Sequence, residues 1–362
     1  MRKIRVLVVD DSTVIRRLLS DSLANDAQIE VCGTAAHGRI ALAKIPQLNP
    51  DIVTLDMEMP EMDGIATLVE LRRLYPKLPV IMFSTLTQRG AEATLEALSK
   101  GASDYVTKPA NVGSVNVAMQ RVRDELVPRI KAFCPWSTPA PAAPPLKPRM
   151  PVAKSSGTPQ RIDAIVIGSS TGGPNALQSV ITKLPANFPV PILIVQHMPP
   201  VFTKHFAERL NQLSALTVVE AAEGDAIHAG GVWIAPGDFH MQLGRVGTEL
   251  RIRLDQGTPE NSCRPAVDVL FRSAVSAFGG NLLSVVLTGM GQDGARGCQA
   301  ARDAGGHVMI QDQATSVVWG MPGAVARAGL ANTTLPIGRI ADEIQKLAAH
   351  GRSFAQEAST CR

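Results

Sequence analysis

The sequence predicts an α/β protein built from two doubly wound parallel-sheet domains joined by a proline-rich linker. Three observations carry that expectation. Short apolar runs alternate with amphipathic stretches in both halves of the chain, as βαβ units require. The 362 residues exceed what a single ordinary core holds. Between Ala132 and Pro159 the chain reads AFCPWSTPAPAAPPLKPRMPVAKSSGTP, with eight prolines, no acidic residue and no apolar period, which is the composition of a partly extended connector.

In the first half, IRVLVV, IEVCGTA, DIVTLDM, VIMFST and DYVTKP read as strands, separated by amphipathic segments such as TVIRRLLSDSLA and AEATLEALSKGA. In the second half, AIVIGSS, PILIVQH, GVWIAP and LLSVVLTG play the same part. The stretch GVWIAPGDFHMQLGRVGTELRIRL departs from this pattern and predicts an antiparallel hairpin, with proline and glycine at its turns. The expected boundaries are a first domain over 1–125, a linker over 126–159, a second domain over 160–348 and a tail over 349–362.

Ligands of parallel sheets collect at the carboxyl ends of strands. The first domain places Asp10 and Asp11 after one strand, Asp56 after another, and Ser84 and Lys108 after two more. Crowded carboxylates repel unless a cation intervenes, and an all-oxygen set suits Mg²⁺, which also accepts phosphoryl oxygens. The hydroxyl and the ammonium can both contact such a group.

Charge and cysteines narrow the classes. Residues 1–159 carry 20 Lys+Arg against 16 Asp+Glu, and residues 160–362 carry 16 against 16. The second half therefore lacks the cationic footprint that binding a phosphate backbone needs, so no nucleic-acid partner is expected. Five cysteines, at 32, 134, 263, 298 and 361, show neither a C-x-x-C pair nor a Cys/His ligand spacing. A reducing cytoplasm is expected. Arg5 and the aspartates at 10 and 11 break up the first apolar run, so neither a signal peptide nor a membrane-inserting segment is expected.

Residues 168–172, Gly-Ser-Ser-Thr-Gly, fit G-x-S-x-G, which seats a serine hydroxyl on a sharp strand-to-helix turn beside backbone N–H groups. The turn lacks the G-K-[ST] ending of a phosphate loop and the spacing G-x-G-x-x-G. A tight left-handed turn without chemistry is the competing reading. A nucleophilic Ser170 needs a base and an orienting acid. His197 ends the apolar run VPILIVQH, and Asp293 lies in the glycine-rich loop of LLSVVLTGMGQDGA, so both reach the same sheet edge. In such a set the histidine takes the serine proton and the acid fixes its tautomer. His240 in PGDFHM is a reserve base, Asp293 is equally readable as a turn former or helix cap, and Arg264 and Asp268 are candidate cleft residues. The backbone near Thr171, at the helix start, and near Met290, in the GMG loop, is the expected source of oxyanion donors.

With these motifs in hand, the first domain resembles a response-regulator receiver: VVDDS, TLDMEMPEMDG, MFST and DYVTKP stand at that family's spacings. The resemblance implies a flavodoxin-like fold, Asp56 as phospho-acceptor, Asp10, Asp11 and Asp56 as Mg²⁺ holders, Ser84 as switch hydroxyl, Lys108 at the phosphate and Tyr105 as switch aromatic. The second domain resembles the catalytic domain of chemotaxis protein-glutamate methylesterases, through IGSSTGGP, QHMPP, FAERLN, IAPGDFHM, RPAVDVLF, LTGMGQDGA and VWGMPGA. That implies a Rossmann-like domain whose triad is Ser170, His197 and Asp293. It further implies hydrolysis of glutamate γ-methyl esters on the cytoplasmic domains of methyl-accepting chemoreceptors, with deamidation of receptor glutamines. The implied phosphodonor is the chemotaxis histidine kinase, and phosphorylation is expected to uncover the catalytic cleft. No cofactor for catalysis and a monomer are expected. Two alternatives remain at this level: a phospho-regulated DNA-binding protein, which predicts a basic recognition helix, and a triad hydrolase of another ester or amide.

Overall fold

A computed structural model describes residues 2–108, 115–134 and 161–349. The chain divides into two compact units, with the break between residues 144 and 145.

The first unit holds a five-stranded parallel sheet. Its strands are β1 (Ile4–Val9), β2 (Ile29–Ala35), β3 (Ile52–Asp56), β4 (Val80–Ser84) and β5 (Asp104–Thr107), in the order β2-β1-β3-β4-β5. Helices α1 (Thr13–Ala24), α2 (Gly38–Leu48), α3 (Gly64–Leu74), α4 (Gln88–Ser99) and α5 (Val115–Phe133) follow the strands in turn. Polar residues start three of these helices: the side chains of Ser12, Asp63 and Thr87 accept the N–H groups of Ile15, Ala66 and Gly90. β3 and β4 are buried along their whole length, which explains why they read as continuous apolar runs.

The expected boundary at residue 125 falls inside α5. The helix continues to Phe133 because Leu126, Val127, Ile130 and Cys134 bury against the sheet with Ile4, Val6 and Phe83, and this packing carries the helix through Pro128. Residues 126–133 thus belong to the first unit rather than the linker. Linker residues 135–159 lie outside the described residues, as does the tail beyond Ala349.

The second unit holds a seven-stranded parallel sheet. Its strands are β6 (Ala164–Ser169), β7 (Ile192–Gln196), β8 (Thr217–Glu220), β9 (Gly231–Ile234), β12 (Leu282–Val286), β13 (His307–Gln311) and β14 (Thr333–Leu335), in the order β14-β13-β12-β6-β7-β9-β8. A separate antiparallel hairpin pairs β10 (His240–Val246) with β11 (Glu249–Asp255). Only this later part of the predicted hairpin stretch forms a hairpin. Gly231–Ile234 pairs in parallel with β7 and β8, where all four of its residues are buried.

Helices α6 (Gly173–Ile181), α7 (Phe202–Leu213), α8 (Val267–Phe278), α9 (Ala295–Asp303), α10 (Met321–Arg327) and α11 (Ile337–Ala348) complete the unit. Pro174 and Pro322 sit in the first turns of α6 and α10, where a missing N–H costs nothing. Leu193, Trp233, Phe271 and Leu282 are part of its main core. Among the described residues no helix is long and apolar enough to cross a membrane.

In each sheet one adjacent pair of strands sends its following connections in opposite directions, and a crevice forms there at the carboxyl ends of the strands. In the first sheet the reversal lies between β1 and β3; in the second it lies between β6 and β12.

Candidate functional sites

In the first unit, the β1/β3 crevice brings Asp10, Asp56 and Lys108 together. Lys108 Nζ lies 2.7 Å from Asp56 Oδ1 and 3.0 Å from Asp10 Oδ2. Ligand atoms of Asp10, Asp11 and Asp56 all lie within 4.8 Å of one another. Asp10 and Asp56 are buried, and Asp56 Oδ2 has no hydrogen-bond partner among the described residues. Burial pushes the Asp56 carboxyl up to about 6, with Lys108 pulling it down and Asp10 raising it further. An orphaned anionic oxygen in such a pocket is what a hard divalent cation satisfies, so the residues fit Mg²⁺.

Ser84 lies at the end of β4, and its hydroxyl donates to the carbonyl of Gly90 at 3.1 Å. Tyr105 is buried in β5, and burial holds its phenol well above the usual range.

In the second unit, Ser170, His197 and Asp293 follow three adjacent strands, β6, β7 and β12. The turn after β6 is tight: Gly173 N–H donates to Ser170 O at 2.7 Å, and Gly172 caps α6 at φ 75°, a left-handed value that glycine adopts freely. Ser170 N–H donates to Thr288 O at 3.1 Å, and the Thr288 hydroxyl donates to Thr171 O at 3.0 Å. Gln311 Oε1 in turn accepts Thr288 N–H at 2.8 Å. A Cβ at Gly289 would strike Ser170, so glycine there lets the GMG loop close on the serine.

Gln196, buried at the end of β7, joins the serine and histidine segments. Its Oε1 accepts the Ser169 hydroxyl at 2.7 Å, and its Nε2 donates to Ser170 O at 3.0 Å and to His197 O at 3.3 Å. His197 N–H donates to Ser169 O at 3.1 Å.

The imidazole meets the acid directly, with His197 Nε2 2.9 Å from Asp293 Oδ2. That oxygen also accepts Val267 N–H at 2.7 Å. Asp293 Oδ1 accepts Asp268 N–H at 3.0 Å, Gly294 N–H at 2.9 Å and Asn261 Nδ2 at 2.9 Å. Asp293 therefore caps the N-terminus of α8, whose dipole favours an anion. Burial opposes that charge, yet the bond to His197 and the backbone donors hold the carboxyl below its ordinary value. For His197, burial opposes the imidazolium, but Asp293 and Cys263 outweigh it and raise the ring to about 10.

The Ser170 hydroxyl makes no hydrogen bond to the ring among the described residues. The side chain found at the ring's other nitrogen is Cys263, whose Sγ lies 3.6 Å from Nδ1. Cys263 arrives on a two-residue turn, closed by reciprocal bonds between Glu260 and Cys263, with Asn261 at φ 52° and Ser262 at φ 61°. Two consecutive non-glycine residues in the left-handed region mark a strained turn held by its surroundings.

Other expected site residues have structural partners. Both ring nitrogens of His240 are engaged, by Thr258 O at 3.2 Å and Ala266 N–H at 3.2 Å, which removes it as a reserve base. Arg264 binds the Asp238 carboxylate and two carbonyls, and buried Asp268 accepts Gly297 N–H at 2.7 Å and Asn261 Nδ2 at 3.0 Å. Neither has its polar groups free to face a cleft. Sequence reasoning missed Gln196, Asn261 and the placement of Cys263. The polar residue closing an otherwise apolar strand was a usable signal for Gln196.

Comparison with known proteins agrees with this organisation. The profile described as CheB methylesterase matches residues 165–344, and that of the response regulator receiver domain matches residues 6–120. A protein-glutamate methylesterase/protein-glutamine glutaminase of Trichodesmium erythraeum is 52% identical, covering 95% of this chain and 99% of its own. One from a Nocardioides strain is 54% identical, covering 97% of both. The crystal structure of the Thermotoga maritima CheB methylesterase catalytic domain is 44% identical with a TM-score of 0.51, covering 51% of this chain and 98% of that one. The chain therefore belongs to the CheB methylesterase family and carries a receiver domain ahead of its methylesterase domain.

Proposed function

We propose that the protein is a phosphorylation-regulated hydrolase. It demethylates glutamate γ-methyl esters on the cytoplasmic domains of chemoreceptors and deamidates receptor glutamines. The observation that carries this reading is the His197–Asp293 pair at 2.9 Å, on the rim that Ser170 shares. Because Asp293 accepts the Nε2 proton, the neutral ring carries its lone pair on Nδ1, and that nitrogen is the base.

Ser170 Oγ gives its proton to Nδ1 and attacks the ester or amide carbonyl. His197 returns the proton to the leaving methanol or ammonia, then activates water to release the glutamyl group from the serine. Backbone N–H groups near Thr171 and Met290 face the developing oxyanion. Each such donor is worth about 3 kcal/mol. Gln196 keeps the serine and histidine segments in register. Binding of substrate brings the serine hydroxyl onto Nδ1, a contact that commonly tightens only in the Michaelis complex.

Control comes through the receiver, with Asp56 as phospho-acceptor and the chemotaxis histidine kinase as donor. Asp10, Asp11 and Asp56 would hold a Mg²⁺, which neutralises phosphoryl charge when bound. Lys108 offers an ammonium to the phosphoryl oxygens, and Ser84 and Tyr105 report the change. A cytoplasmic location follows from this substrate and this donor.

The test is methanol release from methylated receptor. Ser170→Ala should lower turnover at least about a thousandfold, because only binding and oxyanion contacts remain. Near-normal release would remove Ser170 from the nucleophile's role.

A further inference from the structure

The turn over residues 260–263 delivers a thiol that the proposed reaction does not use. Cys263 is half-buried, and its Sγ lies 3.6 Å from His197 Nδ1 while Asp293 holds Nε2 at 2.9 Å. Ligand atoms of these three residues lie within 4.8 Å of one another. Three features of this geometry suit a soft divalent cation.

The first is the bite. Zn–S bonds of about 2.3 Å and Zn–N bonds of about 2.0–2.1 Å at a tetrahedral angle separate sulfur and nitrogen by about 3.6 Å. The second is the tautomer: with Nε2 bonded to Asp293, loss of a proton from the ring leaves its lone pair on Nδ1, facing Cys263. The third is the carboxylate itself. Zinc-binding histidines characteristically give their other N–H to a carboxylate, which fixes the ring and raises its basicity.

We propose that Cys263 Sγ and His197 Nδ1 form an inhibitory Zn²⁺ site, with Asp293 as the outer partner of the histidine. On binding, the Cys263 thiol proton and the Nδ1 proton of the imidazolium pass to solvent as the Zn–S and Zn–N bonds form, and water fills the remaining positions. No oxidant or reductant takes part. A sulfur and imidazole pair selects Zn²⁺ over Mg²⁺, whereas the all-oxygen set of Asp10, Asp11 and Asp56 favours the harder ion. The ion occupies the lone pair that must receive the Ser170 proton, so hydrolysis stops. Inhibition rests on the reading of His197 as base; binding does not.

The experiment uses the reduced full-length protein with excess Mg²⁺ to occupy the carboxylate cluster. Co²⁺ serves as the optical probe. It should give a thiolate-to-cobalt charge-transfer band that Zn²⁺ abolishes by displacement. Cys263→Ser should lose the band, while Cys32→Ser, which removes another partly exposed thiol, should keep it.

Methanol release is then measured against buffered free Zn²⁺, each variant relative to its own zinc-free rate. Losing an outer-shell partner alone costs about 10–100-fold in affinity, so half-inhibition of Cys263→Ser should need at least about tenfold more zinc. A band that persists in Cys263→Ser, or zinc sensitivity equal to wild type, overturns the site. A Cys263-dependent band without inhibition at saturation overturns the inhibitory role, and with it His197 as the base.

Discussion

An Asp293→Asn variant keeps the side-chain volume and exchanges one carboxylate oxygen for an amide. Both oxygens are spoken for in the folded protein. Oδ1 accepts three donors, from Asp268, Gly294 and Asn261, while Oδ2 accepts His197 Nε2 and Val267 N–H. The single oxygen of asparagine is best placed on the side with three donors. Its NH₂ then faces Val267 N–H and the imidazole. His197 can keep a bond there only by accepting at Nε2, which moves its proton to Nδ1 and removes the lone pair that Ser170 needs.

The same exchange in a serine protease triad lowers kcat about 10⁴-fold, which corresponds to about 5 kcal/mol of barrier. An unpaired buried Val267 N–H adds a stability cost of about 1–3 kcal/mol. Methanol release from methylated receptor measures the first effect, and thermal unfolding followed by circular dichroism measures the second. A folded Asp293→Asn protein retaining kcat within about tenfold of wild type would refute the tautomer argument.

Three further outcomes are expected. The active form of His197 is the neutral imidazole, and Asp293 and Cys263 raise its pKa, so kcat/KM should climb with pH on a limb above pH 7, and a plateau by that pH would contradict the assignment. The sign for stability is opposite: an imidazolium favoured by folding stabilises fully below its unfolded value of about 6.5, and that contribution is lost as pH rises through the raised folded value. Gln196→Leu strands the Ser169 hydroxyl and two carbonyls, so kcat should fall about 10–100-fold with KM changed much less; an effect on KM alone would show that Gln196 shapes binding instead. Asp56→Asn should lose stimulation by acetyl phosphate, measured as the ratio of methanol release with and without the donor; an unchanged ratio would place the acceptor elsewhere.

The parts of these sites legible in the sequence are those set by strand ends. A parallel strand that is buried on both faces reads as an apolar run, and polar residues at its carboxyl end lie on the ligand edge; Asp10, Lys108 and His197 are legible as strand-end residues, and Ser170 through the G-x-S-x-G turn. What escaped depends on contacts made far along the chain. Cys263 and His197 are 66 residues apart, and the turn that joins them uses Asn-Ser at left-handed φ values without the glycine that would announce it. The end of α5 escaped for a different reason. Pro128 argues locally for a break, and the burial of Leu126, Val127 and Ile130 outweighs it.

Both sheets are parallel and both carry a crevice at a reversal point, yet they support different chemistry, and the difference can be located at one aspartate in each. Asp56 and Asp293 both lie buried at the point where the winding reverses. Among the described residues, Asp56 has one oxygen without a hydrogen-bond partner and receives charge compensation from a single ammonium. Such a carboxylate is short of donors, so it calls for a cation and can offer a free oxygen to phosphorus. Asp293 receives five donors, four of them fixed by the loop and helix backbone and by Asn261, leaving the fifth for His197. A carboxylate satisfied in this way has no oxygen to spare as a nucleophile, and its charge acts through the imidazole instead. Donor count at the carboxylate, set by whether a helix N-terminus is aimed at it, thus separates a phosphoryl acceptor from the orienting acid of a proton relay on otherwise similar crevices.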